Sequence, residues 1–328
     1  MEEPRVAIVR SYRPAHGVSN ARAVTARRVR LTRRMSIEEA FRATVLECLA
    51  QVGGNAPAIR AHEPRGIHQI RVGLRRLQMA LKSFGADTPE FKTLGKRGRR
   101  LANALGPSRD LDVFSSELLP PIAHKFAEHE SFAALKLALR HARGEAWDDA
   151  IAEIQNPEFG LFLNEVAAVA ETLPGTAARI GKFSGRALDA LYAEARKRGK
   201  RAHGSYDART HKLRIALKKF RYAAEFFSPL YPKKRTKTYI KALKGLLDEL
   251  GAANDAHGVA SVLALIGDGP ELSFAKGAVI GWYKGCRALG TRYDKLAVDY
   301  VARWMSASIE KLLRKYWKRL EPGLSERA

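Results

Sequence analysis

The chain has 328 residues, 46% of them hydrophobic, which is enough to bury a large core and excludes a disordered protein. Its 58 Lys and Arg face only 34 Asp and Glu, a formal net charge of +24, and self-repulsion of that size points to a polyanionic partner. Nucleic acid, an anionic membrane surface and inorganic polyphosphate all meet that description, and composition alone does not choose among them.

Residues 1–34 are rich in arginine, poor in large apolar residues and without periodicity, so they read as a flexible basic arm. Order is expected from Met35. Ser36 and Glu39 have capping-box spacing and predict a helix start. From there apolar residues recur at three and four, loops are short, and alternating β-type segments are nearly absent. The pattern predicts helices over 36–52, 64–85, 89–105, 110–129, 131–155, 158–172, 182–203, 207–228, 233–250, 254–267, 271–290 and 297–320. "LPGT", residues 173–176, is the best internal break. The expected organisation is an arm (1–34), a first helical bundle (35–174), a second (175–321) and a tail (322–328). The last helix, with Trp304 and Trp317, is amphipathic and basic and is expected to pack on the second bundle.

Cys48 and Cys286 lie far apart, outside any C-x-x-C spacing, and fit two small buried hydrophobes in a reducing compartment. No apolar run approaches the ~20 residues of a membrane span, and the N-terminus lacks the apolar region of a secretory signal. A cytoplasmic location is therefore expected.

An internal repeat runs through the chain. His68, Arg71, Leu74, Arg75 and Leu77 align with His211, Arg214, Leu217, Lys218 and Phe220. Further on, Lys92, Lys96, Arg99, Leu101, Leu105-Gly106 and Asp110 align with Lys237, Lys241, Lys244, Leu246, Leu250-Gly251 and Asp255. The same order of elements twice over predicts an all-α protein of two helical bundles related by pseudo-two-fold symmetry.

At about 100° per residue, Arg71, Arg75 and Lys82 fall at about 300°, 340° and 320° from His68, a narrow stripe over several turns. Ile70, Leu74, Leu77, Leu81 and Phe84 form a core-facing stripe, and Val72 and Met79 lie on the far flank of the cations. A basic stripe with apolar borders on both sides reads as the wall of a groove or channel. The second copy repeats the wheel: His211, Arg214, Lys218 and Arg221 share a stripe, with Leu213, Leu217, Phe220 and Phe227 as core and Ile215 and Tyr222 as flank. Glu225 stands where the first copy has Lys82. In the following helices Lys92, Lys96 and Arg99 share a face, matched by Lys237, Lys241 and Lys244. The two histidines are candidate phosphate contacts. Leu105-Gly106 and Leu250-Gly251 have the look of helix C-caps with a left-handed glycine. Asp110 and Asp255 either N-cap the next helix or orient a neighbouring cation.

The segments "IHQIRVGLRRL" with "LGPSRDLDVF", and "THKLRIALKKFRY" with "LGAANDAHGV", resemble the CHAD family, the conserved histidine α-helical domain, over roughly residues 36–320. The resemblance implies two helical bundles around a basic central pore that binds inorganic polyphosphate. It also implies a place on polyphosphate or polyhydroxyalkanoate granules, with granule-associated proteins as partners. It carries the ligand role to His68, Arg71, Arg75, Lys96 and Arg99, and to His211, Arg214, Lys218, Arg221, Lys241 and Lys244; Lys82, Lys92 and Lys237 join them on the same faces. No triphosphate-tunnel (CYTH) domain of the kind fused to many members is visible here. The second copy departs from the first at Asn254-Asp255, against Arg109-Asp110, and at Glu225, which suggests a weaker or internally paired ridge.

Polyphosphate carries about one charge per phosphate and no bases, so Lys, Arg and His would hold it through charge-assisted hydrogen bonds and counterion release. Two rivals stand beside this reading. Nucleic acid explains the charge, and the arm would bind it weakly, but single-strand binders interleave aromatics with cations and only Tyr222 lies near a stripe. An enzyme acting on phosphate needs a metal or a positioned base. His129-Glu130 begins an H-E-x-x-H pattern that Ala133 breaks, "GTAARIGKF" (175–183) is a defective P-loop, and Gly267-x-Gly269 lacks a third glycine. The expectation is a non-catalytic protein with no cofactor and no metal.

Overall fold

Ser36 opens the first helix as its spacing with Glu39 predicts. Its hydroxyl accepts the Glu39 N–H at 3.2 Å, and the Glu39 carboxylate accepts the Ser36 N–H at 2.8 Å. The structure, a computed structural model, describes residues 22–84, 88–172, 178–202 and 208–289, of which 251–257 and 284–289 by backbone alone. Regular structure among the described residues is helical, apart from one β-bridge between Ser36 and Arg179. None of the described helices is long and apolar enough to cross a membrane.

The chain forms two compact units: residues 1–112 with 143–184, and residues 113–142 with 185–328. The first unit holds α1 (Ile37–Gly54), α2 (Ala56–Arg60), α3 (Pro64–Phe84), α4 (Pro89–Ala104) and α5 (Gly106–Val113). It also holds the C-terminal part of α7 (Glu130–Gln155) and α8 (Pro157–Thr172). Helix α1 packs on α3 and α8, and α4 packs on the same two helices. The predicted core stripe of α3 is buried throughout, at Ile70, Leu74, Leu77, Leu81 and Phe84. Each such side chain contributes roughly 1.5–3 kcal/mol on burial. Phe41 of α1 meets Phe84 and Phe91 with ring centroids 5.8 and 5.6 Å apart. A Cβ at Gly73 would stand 2.7 Å from Val52 Cγ2, so the close approach of α3 to α1 depends on the glycine. Cys48 is buried as expected, and burial pushes its thiol up to about 12 despite the nearby Arg76 guanidinium.

Part of the sequence assigned to the basic arm is pinned down. Val29 and Leu31 are buried, and the Asn55 side chain closes a two-way bond with Val24, accepting its N–H and donating to its carbonyl, both at 2.8 Å.

The second unit holds a π-helical turn (Phe114–Leu118), α6 (Pro120–Ala123), the start of α7, most of α9 (Ile180–Gly199), α10 (Ala208–Phe227), α11 (Lys233–Ala264) and α12 (Ser273–Leu289). Helix α11 packs on α10 and α12. Residues 113–142 were expected in the first bundle. They are tied to α12 instead. Ser131 Oγ donates to the Glu271 carbonyl at 2.6 Å and accepts the Ala275 N–H at 3.0 Å. Tyr283 donates to the Leu118 carbonyl at 2.8 Å, and Phe274 stacks on His129 with centroids 3.9 Å apart.

Three local expectations are corrected. The helix expected over 110–129 is broken, because Pro120 and Pro121 have no N–H to donate; the Leu119 N–H instead bonds the Phe114 carbonyl at 2.8 Å in a π turn. The helices expected at 233–250 and 254–267 are one continuous α11, so Leu250-Gly251 is no C-cap. The left-handed glycine among the described residues is Gly267, φ 82°, just past the end of α11. Likewise Leu105 ends α4 at φ −81° and the chain passes directly into α5 at Gly106, which is not left-handed. The helix expected at 297–320, the Asp255 side chain and Cys286 lie outside the described residues.

Candidate functional site

In the first unit, α3 presents His68, Arg71, Arg75 and Lys82 in the order the wheel predicts. His68 and Lys82 are exposed, while Arg71 and Arg75 are half-buried. Arg71 reaches across to the end of α4, where its Nη1 donates to the Ala102 carbonyl at 2.5 Å. A cation there satisfies one of the carbonyls that a helix C-terminus leaves open and complements the helix dipole. The glycine that follows has a steric reason: a Cβ at Gly106 would lie 3.0 Å from Arg71 Nη1.

Helix α5 then brings Arg109 and Asp110 to the same place. Burial, the Arg75 charge and the Arg109 charge pull the Arg71 pKa down to about 10 against the opposing pull of Asp110, so Arg71 stays charged at neutral pH. Asp110 lies within α5 and is not its N-cap; its charge acts on Arg71, favouring the charged guanidinium. His68 is held below the ordinary 6.5, first by lost hydration, then by Arg109, Arg75 and Arg71. The result is a site in which three guanidinium groups surround His68 and the Asp110 charge acts on Arg71.

On α4, Lys92, Lys96 and Arg99 are exposed. The cations of this helix that face elsewhere are tied up structurally. Arg97 pairs with Glu165 and, at 3.5 Å, with Glu158, and Arg100 pairs with Glu153 at 3.2 Å.

In the second unit, His211 is exposed and Arg214, Lys218 and Arg221 are half-buried along α10, above a core of Leu213, Leu217, Phe220 and Phe227. Tyr222 is buried on the flank, whereas Ile215 is 40% exposed and borders the stripe as surface. Lys237, Lys241 and Lys244 stand exposed on α11. The internal pairing expected from Glu225 is present. Arg221 Nη1 donates to Glu225 Oε1 at 2.8 Å, and Lys244 Nζ lies 3.8 Å from the same oxygen. The Arg221 guanidinium also sits 4.5 Å from the centre of the Tyr222 ring.

Sequence reasoning missed Arg109 as a ligand candidate and Gly106 as the partner of Arg71. The signal was in "LGPSRD", whose counterpart in the second copy, "LGAAND", has Asn254 in place of the arginine.

An all-helical chain with two His/Arg/Lys ridges, each built on a pair of sequential helices, defines a class. The CHAD domain family model matches residues 43–264, and the chain belongs to that family. It is similar to the CHAD domain from the plant Ricinus communis, with 28% identity, a TM-score of 0.71, and coverage of 89% of this chain and 98% of that one. It shares its fold with PptA from Streptomyces chartreusis at 18% identity, a TM-score of 0.57, and coverage of 86% and 98%. No curated protein matches it.

Proposed function

We infer that the protein binds inorganic polyphosphate, without turning it over, through the cationic ridges of its two repeats. The observation that carries this reading is the cluster in the first unit. His68, Arg71, Arg75 and Arg109 gather there, with Asp110 acting on Arg71, and Arg71 is fixed in place by the Ala102 carbonyl. Such a cluster is costly in an empty protein and favourable around a phosphate chain. Arg can hold two phosphate oxygens at once, whereas the lysines of α4 and α11 act as point charges along the chain.

A pseudo-two-fold pairing of the ridges around a basic pore belongs to this proposal and rests on the repeat of His68 with His211. A cytoplasmic location, on polyphosphate or polyhydroxyalkanoate granules and with granule-associated proteins as partners, belongs to it on the family resemblance alone.

Calorimetric titration with long-chain polyphosphate tests the reading, comparing wild type with Arg71→Glu/Arg214→Glu. Loss of two charge-assisted contacts should weaken binding by about a hundredfold or more. Unchanged affinity in a folded double variant would sink the assignment. Displacement of labelled polyphosphate by DNA at equal phosphate concentration would favour a nucleic-acid binder. Phosphate release from polyphosphate with Mg²⁺ or Mn²⁺ present would make the protein an enzyme.

A further inference from the structure

We propose that the arginine-rich segment before α1 is a second binding site, a fixed strap for the backbone of single-stranded nucleic acid. Residues 22–34 carry six arginines, no lysine and no acidic residue. The segment is held at both ends of α1. At the C-terminal end of the helix the Asn55 side chain brackets Val24, and a bond from Asn55 Nδ2 to the Gln51 carbonyl at 2.6 Å fixes that side chain in turn. At the N-terminal end the Met35 carbonyl accepts the Ile180 N–H at 3.1 Å, the Arg34 carbonyl accepts from Arg179, and Ser36 caps the helix. The strap therefore runs antiparallel to α1 over the ~27 Å that its 18 residues occupy.

Between the anchors burial alternates. Val29 and Leu31 are buried, while Arg28, Arg30 and Thr32 are exposed. Period two is the mark of extended chain with one edge on the protein and the other in solvent. Arg27 and Arg34 are exposed as well. None of the anchors is the side chain of Arg27, Arg28 or Arg30, so these three do not hold the strap in place. They present guanidinium groups along a line whose backbone is already ordered, which removes an ordering cost that a flexible arm meets on binding.

Composition chooses the ligand. The ridges mix lysine with arginine, whereas the strap uses arginine alone. A point charge suffices for a phosphate, but a guanidinium plane also stacks on an unpaired base, and polyphosphate has no bases. Direction separates the strap from the first ridge. Gly73, at about 140° from His68 around α3, faces Val52 of α1, while Arg71 and Arg75 fall at about 300° and 340°. The ridge thus points away from the helix that carries the strap.

The strap does not rest on the polyphosphate reading, and one experiment keeps the two apart. The probe is a fluorescein-labelled oligouridine RNA of ~20 nucleotides, followed by anisotropy from ~0.05 to ~0.2 M salt. The protein is the full chain carrying Arg71→Glu/Arg214→Glu, with and without the strap substitutions. Each phosphate neutralised on a single strand contributes about 0.7 to the slope of log affinity against log salt. Arg27→Gln/Arg28→Gln/Arg30→Gln should therefore lower the slope by about 2 and weaken RNA about tenfold or more at the lower salt. Arg30→Gln alone should lower it by about 0.7, which keeps the test readable if the triple variant folds poorly. In an otherwise wild-type chain the triple substitution should leave polyphosphate affinity within about twofold. An unchanged slope in the folded triple variant would overturn the proposal. So would equal weakening of RNA and polyphosphate, which would make the strap a general polyanion track. RNA binding that is absent from the ridge variant would also overturn it, by placing RNA on the ridges. If the ridge variant binds long-chain polyphosphate like wild type, the polyphosphate reading fails and the salt slope still decides the strap.

Discussion

Glu225 holds Arg221 at 2.8 Å, one helical turn away on α10, and lies 3.8 Å from Lys244 on α11. On the proposed polyphosphate reading, this carboxylate competes with the ligand for both cations. Glu225→Gln keeps the shape and removes the charge. It should tighten polyphosphate by about fivefold, the scale of one partly exposed ion pair, while changing unfolding stability by less than ~1 kcal/mol. Calorimetry on the variant decides it; equal or weaker binding would mean that Glu225 does not compete with ligand.

The first ridge carries a pH dependence instead. Lost hydration, then Arg109 on α5 and Arg75 and Arg71 on α3, hold the His68 pKa below 6.5 in the free protein, while Asp110 on α5 acts on Arg71. The unfolded chain therefore takes up this proton first as pH falls, so the contribution to stability is present above about 6.5 and is lost on acidification below it. A bound phosphate has the opposite effect: it favours the charged imidazole and raises its pKa. Affinity for polyphosphate should rise as pH drops through that window, with proton uptake on binding. Titration in two buffers of different ionisation heat measures the uptake. His68→Asn should flatten the profile relative to wild type, and an identical profile would remove His68 from the site.

Periodicity made the helices and both ridges legible, because an amphipathic helix writes its buried stripe into the sequence every three or four residues. Leu74 and Leu217, and the cations beside them, occupy the predicted faces. Contacts between elements leave no such periodic record. Arg109 reaches His68 from another helix, so the wheel of α3 did not contain it. Gly106 and Gly251 look alike after their leucines, yet one makes room for Arg71 and the other continues a helix. Residues 113–142 join the second unit through Ser131 and Tyr283, whose partners lie far along the chain.

Gly106 offers a test of how Arg71 is held. The added methyl of Gly106→Ala would stand 3.0 Å from Arg71 Nη1, so the guanidinium must give by a few tenths of an ångström against its bond to the Ala102 carbonyl. Alanine favours helix by roughly 0.5–1 kcal/mol over glycine, which offsets part of the lost contact. Thermal stability should therefore change little, while polyphosphate affinity falls about fivefold or more. Wild-type affinity in this variant would show that the Arg71 position is immaterial to binding.

Asp112 anchors the helix that carries Arg109. Its side chain is buried, and one oxygen, Oδ1, accepts from Arg143 Nε at 3.0 Å, Arg143 Nη2 at 2.7 Å and Trp147 Nε1 at 3.3 Å. Trp147 in turn stacks on His62, with ring centroids 5.3 Å apart. Asp112→Ala removes the acceptor from two partners and loosens α5 from α7. Because Arg143 keeps some contact with water, the expected cost is roughly 2–3 kcal/mol, below that of breaking a fully buried pair. Asp112→Asn retains the Oδ1 acceptor and loses only the charge, so it should cost about half as much. Urea unfolding, followed by Trp fluorescence and far-UV circular dichroism, gives both values. If α5 also positions Arg109, Asp112→Ala should weaken polyphosphate a few-fold under conditions where the variant is fully folded. A folded Asp112→Ala protein within ~0.5 kcal/mol of wild type would show that α5 is held by its apolar contacts, Leu111 among them, and not by this carboxylate.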